Sequence, residues 1–301
     1  MSPITSAPAA ATPAAKVLSP ELQKMVARVT EISSLPEITT RIVQVVEDPR
    51  ATARDMHDIV RSDPALAAKI LKVVNSAFYG LPAQIASLER AIVMLGLSAV
   101  KNIALAASLS RIFRAEAICE QFAARDLWRH CIAVAVAARA IADAGRSPHV
   151  DEAFVAGLVH DLGLLVAQQL FPAKLKEVAN TYLRNPRNFC ALETQALGAD
   201  HQALGYALAA RWKFPPGLCH AIAYHHEPGC LQAELRSSVA AVSVADSVCC
   251  QMRCGFWLTA ALQPVSEEML GWAGLTQSTL ESIVASLPER VEEAERIFGE
   301  E

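Results

Sequence analysis

The sequence predicts an all-α protein built around one continuous hydrophobic core. Hydrophobic residues make up 52% of the chain and aromatics only 6%, and alanine is abundant, a composition that favours helix packing over sheet. Apolar residues recur at helical spacing in almost every segment after residue 19. No segment alternates in the manner of a half-buried strand, and no internal repeat is visible.

The elements follow in order. Residues 1–19, rich in Ala, Pro, Ser and Thr, read as a disordered tail and lack the basic start and apolar core of a secretory signal. Leu22, Met25, Val26 and Val29 form a first helical stripe; after Leu35-Pro36 a second carries Ile38, Ile42, Val45 and Val46. Asp48-Pro49 ends it, because the residue before proline avoids the helical region. Thr52 caps a short helix, with Asp55 in the place of the usual capping-box glutamate. Asp63-Pro64 opens a helix with proline in its first turn and Leu66, Ile70, Leu71, Val73 and Val74 on one side. A turn at Tyr79–Pro82 follows. Another helix starts at Ser87 and is broken by Gly96 and Ser98 before Val100. The second half predicts helices near 117–143, 151–169, 173–184, 189–196, 201–212, 216–226, 235–253, 266–272 and 276–297. Loops are expected at 145–150, 227–234 and around Gln263-Pro264.

Composition also narrows the function classes. The net charge of −4 and pI near 6.1 make nucleic acid a poor default partner. Residues 52–78 superficially resemble a helix-turn-helix, but Ala65–Ser76 offers only Lys69 and Lys72 as basic groups. No uninterrupted apolar run reaches membrane-spanning length. The eight cysteines form no C-x-x-C pair and read as reduced, mostly buried thiols of a cytoplasmic protein.

Five histidines and three aspartates stand out in the second half: Asp126, His130, His160, Asp161, His201, His225, His226 and Asp246. Imidazole nitrogens and carboxylate oxygens suit divalent transition metals, and this set has donors for two ions. Asp126 and His130, four apart, share a helix face. His160-Asp161 and Asp246 lie in strongly apolar runs, where a polar side chain needs a partner. Adjacent helical residues point about 100° apart, so His225 and His226 can flank one cavity only at a helix terminus. His57, His149 and His220 read as ordinary histidines.

Several blocks are specific enough to name a family. They are Asp63-Pro64-Ala65-Leu66, Val74-Asn75-Ser76-Ala77, Ser87–Ile92 with Leu95-Gly96, Phe154–Gly163, Glu193 with Leu197–His201, Trp212–Pro215, and His225–Pro228. From about Ile32 to Asp246 the chain resembles the HDOD family, the HD-related output domains of bacterial signalling proteins. That family is similar to the HD-type metal phosphohydrolases, including the HD-GYP cyclic-dinucleotide phosphodiesterases. The resemblance implies a helical HD-like fold. Residues 20–115 would form an N-terminal helical subdomain packed on an HD-type bundle at 116–254, with a helical extension at 255–301. It further implies that His130, His160, Asp161 and Asp246 match a four-ligand metal core. His201, His225 and His226 match the further ligands of two-metal relatives, and Asp126 sits where some relatives carry a glutamate ligand. The expected cofactor is one or two divalent ions of Fe, Mn, Zn or Ni.

Two departures shape the functional expectation. Hydrolytic relatives usually have a lysine in a His-Asp-x-Gly-Lys run, and Leu164 stands there instead. The Gly-Tyr-Pro signature is absent, since Pro228-Gly229-Cys230 follows His226-Glu227. The resemblance therefore implies a regulatory, non-catalytic signalling domain that binds a metal or small ligand and acts through a protein partner. The alternative is a metal-dependent phosphohydrolase acting on cyclic dinucleotides or nucleotides.

Overall fold

The computed structural model describes residues 18–28, 36–76, 79–109, 112, 117–123 and 125–298. The tail before residue 18, Val29 of the first stripe, Leu35 of the first break and Ala77 of the family block lie outside the described residues.

Helices account for all the regular structure described, apart from one isolated antiparallel bridge between Cys119 and Phe122. The first half holds α1 (Pro20–Ala27), α2 (Glu37–Glu47), α3 (Ala53–Val60), α4 (Pro64–Val74), α5 (Leu88–Leu95) and α6 (Leu97–Leu109). Their starts are local chemistry. Ser19, Asp63 and Ser87 each accept a backbone N–H of the first turn, and Thr52 with Asp55 closes a capping box. Gly96, at φ 88, separates α5 from α6 in a conformation that side chains resist. Asn75 ties the following loop down: its side-chain amide donates to Leu71 O and Ile85 O, and its Oδ1 accepts from Ile85 N at 2.6 Å. Lys72, one of the two basic groups of the helix-turn-helix reading, instead donates to the Arg296 carbonyl at 2.9 Å.

The second half is a bundle around α7 (Asp126–Ala144), which packs against α8 (Val150–Val159) and two later helices, α14 (Ala233–Gln251) and α16 (Gln277–Phe298). Between them run α9 (Leu162–Leu170), α10 (Pro172–Arg184), α11 (Phe189–Leu197), α12 (His201–Arg211) and α13 (Pro216–Tyr224), with α15 (Glu267–Trp272) before the last helix. The halves meet where α6 packs on α8, α1 on α12 and α9, and α4 on α16. The Trp128 indole N–H donates to Phe298 O at 3.0 Å and fixes the end of α16 to α7.

Three sequence expectations are corrected. The helix expected near 117–143 begins at Asp126. Residues 117–123 make the Cys119–Phe122 bridge instead, and Phe122 packs edge-on against Phe256 at 4.9 Å, so burial of that ring overrides local helical spacing. The helix expected at 151–169 is broken at His160-Asp161 into α8 and α9. His160 Nδ1 donates to the Gly157 carbonyl at 2.7 Å, satisfying an acceptor at the end of α8. The loop expected at 227–234 also contains a short 3-10 turn at Pro228–Cys230, and α14 starts within that span at Ala233.

Gly163 lets α9 and α12 meet backbone to backbone. A Cβ there would collide with the His201 carbonyl and lie 2.7 Å from Gly205 N. Gly157 does the same for α8 against α7, where a Cβ would fall 2.7 Å from Ala135 Cα. Gly163→Ala should therefore destabilise the protein by about 1–3 kcal/mol, the usual range for overpacking. Unchanged thermal unfolding of that variant would mean the contact is looser than described. Asn75→Ala should also lower the melting temperature, because it strands the Ile85 N–H and carbonyl, while Leu71 O keeps the backbone N–H of residue 75. Asp63→Ala removes a cap worth about 1 kcal/mol, and calorimetry of the two variants should rank the asparagine loss larger.

Candidate metal centre

Seven of the eight proposed ligand residues converge. His130 comes from α7, His160 and Asp161 from the break between α8 and α9, and His201 from the start of α12. His225 and His226 follow the end of α13, and Asp246 lies within α14. The helix break at 160–161 solves a geometric problem. In a continuous helix these neighbours would diverge by about 100°. At the break both reach one cavity: His160 Nε2 is 3.4 Å from Asp161 Oδ2 and 3.7 Å from Asp246 Oδ1. His225 and His226 achieve the same at a helix terminus, as their adjacency requires.

Asp161 stands at the centre. Its Oδ2 faces His130 Nε2 at 3.7 Å as well as His160, while its Oδ1 faces His201 Nε2 at 3.4 Å and His225 Nε2 at 3.7 Å. On the first side Asp246 Oδ1 lies 3.1 Å from His130 Nε2. On the second, His201 Nε2 lies 3.2 Å from His225 Nε2 and 3.0 Å from His226 Nε2. Asp126 does not join. Its Oδ2 accepts the Ala123 N–H at 2.6 Å, capping the turn before α7, and it belongs to none of the compact donor groups.

The imidazoles are aimed by their other nitrogens. Nδ1 of His130 bonds Cys254 O at 3.1 Å, that of His160 Gly157 O, and that of His201 Glu193 Oε2 at 2.6 Å. Nδ1 of His225 contacts Ala221 O and Ile222 O at 3.1 Å each, and that of His226 contacts Gln263 Oε1 at 2.8 Å. Every acceptor is an oxygen, so each Nδ1 carries the hydrogen and all five Nε2 atoms turn inward. Glu193 and Gln263 were not among the sequence candidates. Glu193 was within reach of the burial reasoning used for Asp246, since FCALETQAL is an apolar helix with one carboxylate. Gln263 carried no signal beyond a loop beside Pro264.

The donor set fits a divalent metal. His160 Nε2, both Asp161 oxygens and Asp246 Oδ2 are buried and have no hydrogen-bond partner. Such atoms cost several kcal/mol unless a cation or proton meets them. Ligand atoms each about 2.0–2.2 Å from a common ion stand roughly 3–3.5 Å apart, close to the spacings found here. Without an ion, protons supply the charge. Burial opposes a charged His160, but Asp161 and Asp246 outweigh it and push the ring up to about 10. Burial likewise opposes His201, and Glu193 with Asp161 lifts it to about 9. Burial favours neutral Asp161 and Asp246, yet the surrounding imidazoles hold both below the usual carboxylate range. Burial, reinforced by His226, keeps His225 well below its ordinary value, and burial draws His226 to about 4.

The cluster opens beside His226 into a cleft of about 610 Å³, whose walls include Arg187, Cys190, Leu262 and Gln263. Leu164 lies on α9 with no exposure at all. The three remaining histidines stay outside the cluster. His57 faces Glu89 at 3.0 Å, His149 faces Glu152 at 3.4 Å, and burial lowers His220. No disulfide joins any of the eight cysteines. No single described helix is long and apolar enough to cross a membrane.

Comparison with known proteins places this geometry. The chain is similar to a solved HDOD domain protein of unknown function from Geobacter sulfurreducens, at 24% identity and a TM-score of 0.76. That match covers 92% of this chain and 96% of the other. A candidate signal transduction protein from Marinobacter aquaeolei VT8 is 24% identical with a TM-score of 0.72, covering 93% of this chain and 64% of that one. A candidate phosphohydrolase from Shewanella amazonensis SB2B is 20% identical with a TM-score of 0.71, covering 91% and 97%. These likenesses establish a shared fold. An uncharacterized protein of Treponema pallidum (strain Nichols) is 25% identical over 222 residues, which is 73% of this chain but 42% of that protein's length. Residues 32–228 match the HDOD domain, and the chain belongs to the HDOD domain family.

Proposed function

We propose that this protein is a signal-transduction domain that holds one or two divalent metal ions in the buried His/Asp cluster and acts on a protein partner without turnover. The carrying observation is the contrast between a full inward-facing donor set and the apolar side chain of Leu164, buried three residues after Asp161. Phosphoryl transfer needs cationic groups where charge develops, and Leu164 can supply none. A bound divalent ion would supply Lewis acidity and the positive charge that Asp161 and Asp246 lack. His130, His160, Asp161 and Asp246 would hold an inner ion, and Asp161, His201, His225 and His226 an outer one. Glu193 and Gln263 orient His201 and His226 and keep their Nε2 lone pairs inward.

The rival reading is a metal-dependent phosphohydrolase; the Shewanella amazonensis neighbour carries the broader name phosphohydrolase. Its specific support is the cleft over His226, with Arg187 on its wall, through which a phosphate ester could approach. Loss of one oriented charge stabiliser can cost roughly a hundredfold to a thousandfold in rate, so a slow enzyme is the form this rival takes.

Metal analysis of protein purified without chelator should find one or two divalent ions per chain. Uptake should release protons, because His160, pushed up to about 10, and His201, at about 9, are protonated near neutral pH in the ion-free cluster. Affinity should rise from about pH 6 to about pH 9 as those protons become easier to remove. Calorimetry in buffers of different ionisation enthalpy reads the release directly, and uptake with no proton release would contradict this charge assignment. With metal present, hydrolysis of cyclic dinucleotides should stay negligible. Robust turnover abolished by both His160→Ala and Asp161→Ala would replace the regulatory reading with the hydrolase.

A further inference from the structure

We propose that Cys190 is a thiolate ligand of the outer ion, sharing it with His201 and His226, an inference that rests on the metal-binding reading above. The sulfur lies within 4.8 Å of a ring nitrogen of each histidine, and those nitrogens are equally close to each other. Cys190 is the second residue of α11, a helix capped by Asn188, whose Oδ1 accepts the Ala191 N–H at 2.8 Å. A helix N-terminus stabilises a thiolate over a thiol.

An independent observation points to a cation between these residues. His201 Nε2 and His226 Nε2 face each other at 3.0 Å, while both Nδ1 atoms are engaged with Glu193 and Gln263. Two ring nitrogens at that distance need a positive charge between them, a proton in the ion-free cluster and a metal ion in the loaded one. Asp161 Oδ1, buried and without a hydrogen-bond partner, faces the same His201 nitrogen at 3.4 Å. Cys190 and His226 both line the cleft, so an ion arriving from solvent meets them first.

The chemistry separates the two ions. The inner set offers nitrogen and carboxylate oxygen, which suit manganese or iron as well as zinc. A thiolate makes the outer set softer and biases it towards zinc or cobalt over manganese. On ligation the sulfur–metal bond replaces the S–H bond, and the proton leaves to buffer.

The probe is cobalt(II) added to the metal-free full chain. The wild type should develop a near-ultraviolet sulfur-to-cobalt charge-transfer band, and Cys190→Ser should take up cobalt without it. Outer-site affinity should fall in Cys190→Ser by at least the roughly 10–100-fold that loss of an orienting partner costs. Alkylation by iodoacetamide, mapped peptide by peptide in the wild type, needs no variant to fold. Cobalt or zinc should slow labelling of Cys190 while leaving the exposed Cys230 unchanged. Cobalt uptake with no sulfur band and no protection of Cys190 overturns this proposal and leaves the metal reading standing. No cobalt uptake by the wild type overturns both.

Discussion

A carboxylate with no hydrogen bond sits at the centre of this protein. Asp161 has no exposed surface, and neither of its oxygens finds a hydrogen-bond donor. An isolated buried charge would cost several kcal/mol and would neutralise itself instead. Asp161 is held below the usual carboxylate range because imidazoles surround it on both sides. The site is a compensated charge cluster, and much of the surrounding backbone is shaped to let it close. The interruption between α8 and α9 turns two neighbours into one cavity. Gly163 brings α9 onto the start of α12, and with it His201.

Orientation is the second layer. Five imidazoles with free rotation would offer either nitrogen to the cavity. Here each Nδ1 is engaged with a carbonyl, carboxylate or amide oxygen, so the inner nitrogen is Nε2 in every case. The acceptors come from different places: the turn after α14 for His130, α8 itself for His160, α11 for His201, and the loop at Gln263 for His226. Glu193 does more than orient. Its Oε2 also accepts the His201 backbone N–H at 3.0 Å, locking the first residue of α12, while burial pushes its carboxyl up against the pull of His201.

Much of this was legible in the residues. Spacing and caps located the helices, because Thr52, Asp63, Ser87 and Gly96 act within a turn of themselves; Ser19, read as part of the tail, caps α1 unannounced. Apolar surroundings marked His160, Asp161 and Asp246 as groups needing partners, and adjacency placed His225 and His226 at a helix end. Other features stayed hidden because their causes are distant in sequence. Nothing local breaks the helix at His160-Asp161, since no proline intervenes and Gly157 and Gly163 serve packing. Residues 117–123 leave the helix to bury Phe122 against Phe256, more than a hundred residues away. Asp126 read as a ligand by helical spacing from His130, yet its nearest donor was the Ala123 N–H three residues back. Gln263 and Cys190 matter only through contacts with helices their own segments do not contain.

The cluster can serve signalling because of where its donors originate. They come from α7, the α8–α9 break, α12, the end of α13 and α14, so an ion held there cross-links elements that otherwise meet through apolar packing. That packing is continuous with the N-terminal helices, because α8 also packs on α6, which carries α2, α4 and α5. Lys101 of α6 reaches back to the Asp48 carbonyl at the end of α2. An ion changes a partner's affinity only if the two occupancy states differ at the partner's surface. Any such coupling is reciprocal: a partner favouring the loaded state must tighten the ion by the same factor it gains. A coupling of 1–3 kcal/mol, or about 5–150-fold, is typical for regulatory proteins. Under the proposed regulatory reading, exchange of the protons on His160 and His201 for an ion is the event that would separate the two states, and a buried Leu164 is no handicap to that exchange.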